Sequence, residues 1–258
     1  GGQTFNKISD WRFGLPGQPQ PDADHHQIVS VPNFSTGNPV VYIGNDGGLY
    51  RSNNIFNASA SGTGNWQNLN NGLAVTQFYG GAGLRAAGGR IIGGTQDNGA
   101  LQYSFGTTWA RTAGGDGGYA AVDPLDDSTF YGEYVYASVH RTIGGGGRQY
   151  ICGGITEALK EEGQTYCGAN ATAGANFIAP FILDPNNRDR MLVGAKSLWA
   201  SNNVRINGLG GPIWSAIKAP VSLATSTRHY VNALAVQPGD SNVVWEGCNP
   251  TNSTSTYS

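Results

Sequence analysis

Charge is scarce in this chain. Only 12% of its 258 residues are Asp, Glu, Lys or Arg, against about 25% in an ordinary soluble domain. The net charge is −2 and no basic block is present. A nucleic-acid binder carries a Lys/Arg stripe, so no nucleic-acid partner is expected. No apolar run approaches the ~18 residues that a membrane-spanning helix needs, so no membrane span is expected either. Methionine occurs once and cysteine three times. Ala, Leu, Glu and Lys do not dominate as they would in a helical protein.

What the chain has instead is glycine, 40 residues of it, with abundant Asn, Ser and Thr. Gly and Asn adopt positive φ at little cost. The composition therefore suits many short strands joined by tight turns. The length suits one β-rich domain or two small ones and is enough to bury a substantial core.

Cys152 and Cys167 bracket a short loop. A disulfide closing such a loop stabilises by about 3 kcal/mol in the chain-entropy model; two unpaired thiols are the competing reading. Cys248 has no evident partner within the chain and is either free or paired outside it. Four N-x-S/T sequons stand at Asn33, Asn57, Asn170 and Asn252. Each alone is weak evidence for glycosylation. Together with the cysteine pair they favour a secreted protein, extracellular or at a cell surface.

A repeat runs along the sequence. In "HHQIVSVPNFSTGNPVVYIGNDGGLYRSNN" an apolar strand ends at Pro32, a second strand leads to Gly44, a third holds Tyr50, and Trp66 follows. The stretch "NFIAPFILDPNNRDRMLVGAKSLWASNN" returns the same order with Pro185, Gly194 and then Trp214. "YAAVDPLDDSTFYGEYVYASVHRT" does so with Pro124, and "YVNALAVQPGDSNVVWEGCNP" with Pro238. A divergent copy, "RIIGGTQDNGALQYS", closes on Trp109. Val, Ile, Tyr and Trp favour strands, while Gly, Asn, Asp and Pro mark turns. About four strands per repeat at this period is the signature of β-propeller blades. A β-sandwich or an irregular β-solenoid is the runner-up architecture.

The expected fold is all-β, a propeller of about five recognisable four-stranded antiparallel blades, complete or part of a larger propeller or tandem array. Residues 1–258 form one such domain, with blades over 24–70, 75–113, 117–151, 175–218 and 229–258. Residues 152–167 are an insertion. There Thr156 stands as an N-cap before helix formers, so a helix of one to two turns is expected. Its acidic residues Glu157, Glu161 and Glu162 are expected on a solvated face. Residues 1–9 are expected as an outer strand. "GGQTF" reads as the end of a turn motif that "STSTYS" begins, so this strand completes either the last blade or a neighbour's.

These stretches carry a resemblance. "ADHHQIVSVPN", "VVYIGNDGGLYRS", "NWQNLNNGLAVTQFY", "IIGGTQDNGALQYS" and "GGDGGYAAVDP" resemble the Asp-box (bacterial-neuraminidase-repeat) β-propellers, a superfamily of sialidases, xyloglucan-cleaving enzymes and sortilin-like ectodomains. The resemblance covers most of residues 1–245 and speaks to fold more than activity. The family's box reads approximately Ser-x-Asp-x-Gly-x-Thr-Trp. Here "YRSNN" and "WASNN" put Asn54 and Asn203 where the acid would be, so the boxes are expected to be structural turns.

Polar residues gather around one part of the repeat. Asp24, His25 and His26 precede one innermost strand; Asn45 and Asp46 follow the next; Gln96, Asp97 and Asn98, then Asp116, follow later. In a propeller such turns rim the mouth of the central channel. Asp46, Asp97 and Asp116 are the candidate catalytic carboxylates, because converging carboxylates can share protons. Asp24, His25, His26, Asn45 and Gln96 are the candidate ligand contacts. The same oxygens could hold a hard cation such as Ca²⁺. Asp is also an ordinary turn residue in "NDGG" and "GGDGG", and "DNG" is a hairpin-turn signal. The arginines match no sialidase cluster. Trp66, Trp109, Trp199, Trp214, Tyr50 and Tyr79 are expected to pack in the core.

Two functions follow. One is a non-catalytic secreted module for extracellular assembly, a filament or surface layer, or glycan and protein binding. Its partners would be copies of itself, adjacent modules of a longer chain, or glycans. The alternative is a glycoside hydrolase or lyase using channel-mouth carboxylates.

Overall fold

The computed structural model describes residues 4–10, 20–73, 76–83, 89–103, 106, 108–159, 167, 174–207, 211–220 and 229–248. The chain divides into two compact units, Gly1–Gln77 and Phe78–Ser258. Each is taken by itself.

The first unit is one antiparallel meander: β1 (His25–Ser30), β2 (Val41–Asn45), β3 (Gly48–Ser52) and β4 (Trp66–Asn68), hydrogen-bonded in that order. Alternation decides its faces. Val41, Ile43, Tyr50 and Trp66 point one way into a small core closed by Ile55 and Ala58. The Trp66 indole donates to the Ile8 carbonyl at 2.8 Å, so residues 4–10 are held across this sheet. The outer strand expected over 1–9 is absent from the described part: residues 4–10 form no strand. Their contacts are side-chain pins rather than a ladder.

The second unit holds three more meanders. They are β5 (Phe78–Gly83) to β8 (Trp109–Ala113) through β6 (Ile91–Thr95) and β7 (Gly99–Tyr103); β9 (Ala120–Asp123), β10 (Asp126–Glu133), β11 (Val139–Thr142) and β12 (Gln149–Tyr150); and β13 (Phe181–Asp184), β14 (Asn187–Gly194), β15 (Leu198–Ser201) and β16 (Ser215–Lys218). A hairpin of β17 (Val231–Gln237) and β18 (Asp240–Cys248) follows. The first strands β5, β9, β13 and β17 lie beside one another in sequence. The architecture is thus all-β, built from four-stranded antiparallel sheets of propeller-blade type. The fifth copy shows two strands among the described residues, and 249–258 lie outside them.

The repeat reappears as repeated bonds. Asp126, Asn187 and Asp240 each open the second strand of their sheet. Each accepts, through Oδ1, the amide two residues on: Ser128 at 3.0 Å, Asp189 at 3.0 Å and Asn242 at 2.9 Å. These are Asx-turns, which is why a polar pair follows Pro124, Pro185 and Pro238. Trp214 repeats Trp66: it is buried and donates to a carbonyl, that of Ile151, at 2.6 Å. At the eroded boxes, Asn54 Oδ1 accepts from the Phe56 amide and Asn203 Oδ1 from the Ile213 amide. Both act as turn residues.

The main core lies under the third and fourth sheets. Tyr131, Val139, Ile151, Ile155, Phe181, Met191, Val193, Trp199 and Trp214 form one buried cluster. Cys152 and Cys167 are bonded with Cα atoms 4.8 Å apart, inside the usual range, and both are buried in that cluster. The helix expected in this insertion is not formed over the described 152–159. The chain makes four-residue turns there, Ile155 N–H to Cys152 O and Ala158 N–H to Ile155 O, and the Leu159 amide leaves to bond Tyr136 O. Residues 160–166, with Glu161 and Glu162, lie outside the described residues.

Glu157 is not on a solvated face. Its carboxylate accepts from the Ser197 amide and the Trp199 indole, each at 2.9 Å, and from the Ser197 hydroxyl at 3.0 Å. It fastens the insertion to β15. Two aromatics also depart from expectation: Trp109 and Tyr79 are 42% and 37% exposed, with Trp109 lying against Phe78 and Tyr103.

Candidate functional site

In the first unit the polar group forms where β1 begins and β2 ends. His25 pairs with Asn45 across a register shift. The Asn45 amide donates to the Asp22 carbonyl at 2.8 Å and reaches His25 Nδ1 at 3.4 Å. His26 Nε2 contacts Asp46 Oδ1, an ion pair when the imidazole is protonated. Asp24 has φ of 53°, a left-handed turn conformation that Asp tolerates better than most. It is exposed, and a carboxylate oxygen of Asp24 lies within 4.8 Å of one of Asp46. This pair could contribute to a hard-cation shell, but Ca²⁺ takes 6–8 oxygens.

One residue that sequence reasoning passed over, Asn70, holds this turn. Asn70 accepts the Leu49 amide at 2.7 Å and donates to Gly47 O at 2.8 Å. A Cβ at Gly48, whose φ is +112°, would strike the Asn70 side chain. Burial, then the charge of Asp22, raises the Tyr50 phenol above its ordinary pKa.

In the second unit the turn Gln96-Asp97-Asn98 joins β6 to β7. Asp97 has φ of 57°, and the Asn98 amide and side chain both donate to Gln96 O. The Asp97 amide donates to Asp116 Oδ1 at 3.2 Å. The structure therefore brings Asp97 and Asp116 together as a turn and its cap. The backbones press close beneath: a Cβ on Gly94 would lie 2.1 Å from Gly118 O.

Two buried titratable groups escaped the sequence reading. Glu133 ends β10 and is 1% exposed. Its Oε1 accepts the amides of Ala137 at 3.0 Å and Ala179 at 2.8 Å. Burial raises its pKa to about 8, so it is a neutral acid at pH 7. A signal existed: in the aligned copies "YIGN", "IGGT", "FYGE" and "LVGA", Glu133 is an acid where Asn45, Thr95 and Ala195 are neutral. His140, 2% exposed, sits over Gly132 with neither ring nitrogen hydrogen-bonded. Burial, then the Arg148 charge, lowers its pKa to about 3. Its ring lines a cavity of about 10 Å³ with Gly93, Gly94 and Thr112, room for about one water and too small for a substrate.

Of the sequon residues, Asn33 and Asn57 are exposed, with Asn33 Oδ1 accepting from Asn38 at 2.8 Å; Asn170 and Asn252 lie outside the described residues. Cys248 is an exposed free thiol near Glu246. No helix among the described residues is long and apolar enough to cross a membrane.

No protein-family model matches the sequence, and no curated protein matches it. Among solved structures, the crystal structure of an ancestral GH74 enzyme is similar over 86% of this chain at 15% identity, with a TM-score of 0.42. The chain spans 27% of that enzyme's length.

Proposed function

We propose that this chain is a non-catalytic, extracellular binding module of the Asp-box propeller kind. Each unit offers its own contact surface, the polar turns at the ends of its second strands. The observation that carries this reading is how the candidate carboxylates are used. Asp116 caps the Asp97 amide, and Asp46 is paired with His26. A general acid–base pair needs carboxyl groups free to exchange protons with a substrate; these serve the turns. The disulfide fits an oxidising compartment. Low charge and neutral amides at the turns suit a neutral polar ligand such as a polysaccharide, or another protein module.

The test is affinity electrophoresis and reducing-sugar release on one set of soluble polysaccharides, with wild type, Asp46→Asn and Asp116→Asn. Retarded migration without sugar release is expected. Sugar release that disappears in either variant would establish the hydrolase instead.

A further inference from the structure

We infer that the second unit carries a strip that seats one extended, neutral polysaccharide chain, laid across the turns where first strands begin and second strands end. This rests on the binding-module reading above and names its ligand class and the residues that grip it. The strip is continuous in contacts. Asp116 caps the Asp97 amide, and a Cβ on Gly115, whose φ is +71°, would strike the Tyr134 ring. Tyr136 donates its amide to Phe177 O at 2.8 Å, and the two rings meet edge-on at 5.3 Å. Asn176 then donates to Asn232 Oδ1 at 2.6 Å. The contacts thus pass from sheet to sheet, from the β6–β7 turn to β17.

The aromatic middle of the strip is set in advance. Tyr134 and Tyr136 are half-buried and Phe177 is 44% exposed. Tyr136 and Ala137 have φ of 52° and 62°, consecutive left-handed residues without a glycine. Such residues persist only where their surroundings fix them, and they cluster at ligand sites. Three bonds fix these: the Tyr136 amide on Phe177 O, the Leu159 amide on Tyr136 O at 3.0 Å, and the Ala137 amide on Glu133 Oε1 at 3.0 Å. The rings are therefore ordered before a ligand arrives, which lowers the entropy lost on binding.

Chemistry selects the ligand. A pyranose ring has a face of C–H groups bounded by hydroxyls. The negative face of an aromatic ring receives the C–H groups. Amide side chains both donate and accept, as hydroxyls require, and they stand on either side of the rings: Gln96 and Asn98 toward one end, Asn176 and Asn232 toward the other. The stretches 96–98, 115–119, 134–138 and 175–179 hold no Lys, Arg or His, and their acids are Asp97 and Asp116. An acidic polysaccharide would meet two carboxylates and no cation there. Sheets stacked about 10 Å apart give the strip a length of roughly 30 Å, room for several sugar rings.

Affinity electrophoresis tests this, with wild type, Phe177→Ala and Trp109→Ala in gels holding mixed-linkage β-glucan, galactomannan, dextran or polygalacturonate. Trp109 is an exposed ring off the strip, paired with Tyr103 at the far end of β7 from the 96–98 turn. At least one neutral polymer should retard the wild type. Phe177→Ala should bind it about tenfold more weakly, the loss of one stacked ring, and Trp109→Ala should match wild type. A hexasaccharide of that polymer should shift the Tyr136 and Phe177 amide signals in ¹H–¹⁵N spectra of the wild type, which decides the matter even where Phe177→Ala does not fold. Full binding by a folded Phe177→Ala, or a hexasaccharide that leaves both signals unmoved, overturns the strip and leaves the binding-module reading standing. No retardation by any neutral polymer overturns it as a sugar seat, and a protein then becomes the module's ligand. Equal retardation by polygalacturonate overturns the neutral assignment. Sugar release by the wild type would overturn the non-catalytic reading instead.

Discussion

His140 should make this protein acid-labile, and one substitution should remove the effect. The imidazole is sealed in β11 with neither nitrogen bonded, and its pKa is held near 3 against 6.5 when free. On unfolding below pH 6.5 it takes up a proton that the folded state refuses. Stability from this group is therefore whole above about 6.5 and lost as pH falls toward 3. The slope is half its limit at pH 6.5 and approaches about 1.4 kcal/mol per pH unit below it, so the two units below 6.5 remove about 2 kcal/mol, a large share of a net stability of ~5–15 kcal/mol. Glu133 opposes it between about 4.5 and 8, which flattens the wild-type profile where the two windows overlap. His140→Leu removes the titration, and because the ring nitrogens have no protein partner, no donor or acceptor is orphaned. The assay is urea unfolding by tryptophan fluorescence at pH 6.5, 5.5 and 4.5 for both proteins. All other titrating groups are common to the two and cancel in the difference. That difference should shift in favour of His140→Leu by about 2 kcal/mol across the series. Parallel profiles would refute the claim that His140 is buried in its neutral form.

Three further outcomes are expected. Gly94→Ala should fail to fold or lose several kcal/mol, because its Cβ would meet the Gly118 backbone, whereas Gly147→Ala, with nothing within 4 Å, should unfold within about 0.5 kcal/mol of wild type in urea. Asp123→Asn should cost about 3 kcal/mol: the buried carboxylate holds Arg188 and Arg205, and the partial exposure of those guanidiniums keeps the loss at the lower end for a broken buried pair; chemical denaturation reads it. Reducing the Cys152–Cys167 bond should lower stability by about 3 kcal/mol for its closed loop, seen as a fall in Tm in dithiothreitol, while alkylating Cys248 alone should leave Tm unchanged.

How much of this was legible follows from the range of the interactions. The second strands could be read because Val41 and Ile43, or Met191 and Val193, alternate within a few residues of one another. The hairpin turns could be read because Asp126, Asn187 and Asp240 bond amides only two residues on. Trp66 and Trp214 stood at matching places in their copies and take matching indole bonds. The disulfide was open to reading because its two cysteines close a short loop. Interactions local in sequence are encoded in contiguous residues, and repetition made them visible.

The candidate site was legible in its members but not in its wiring. Asp97 and Asp116 were marked as candidates, yet their relation as turn and cap spans 19 positions and depends on how β6 presses at Gly94 against the Gly117-Gly118 backbone. Glu157 looked like one acid among three on a wet helix; its three donors arrive from Ser197, just before β15, and from Trp199 on it, 40 and 42 residues away. His140 on β11 looks like an ordinary strand residue, and Glu133 on β10 stands out only as an acid where the other copies are neutral. Only the packing of neighbouring sheets removes their water, and removal of water is what shifts their protons. Local pattern thus determined strands, turns and repeat. The tertiary structure alone decided which carboxyl is ionised, which is neutral, and which backbone each one holds, because burial is set by chain that arrives from elsewhere.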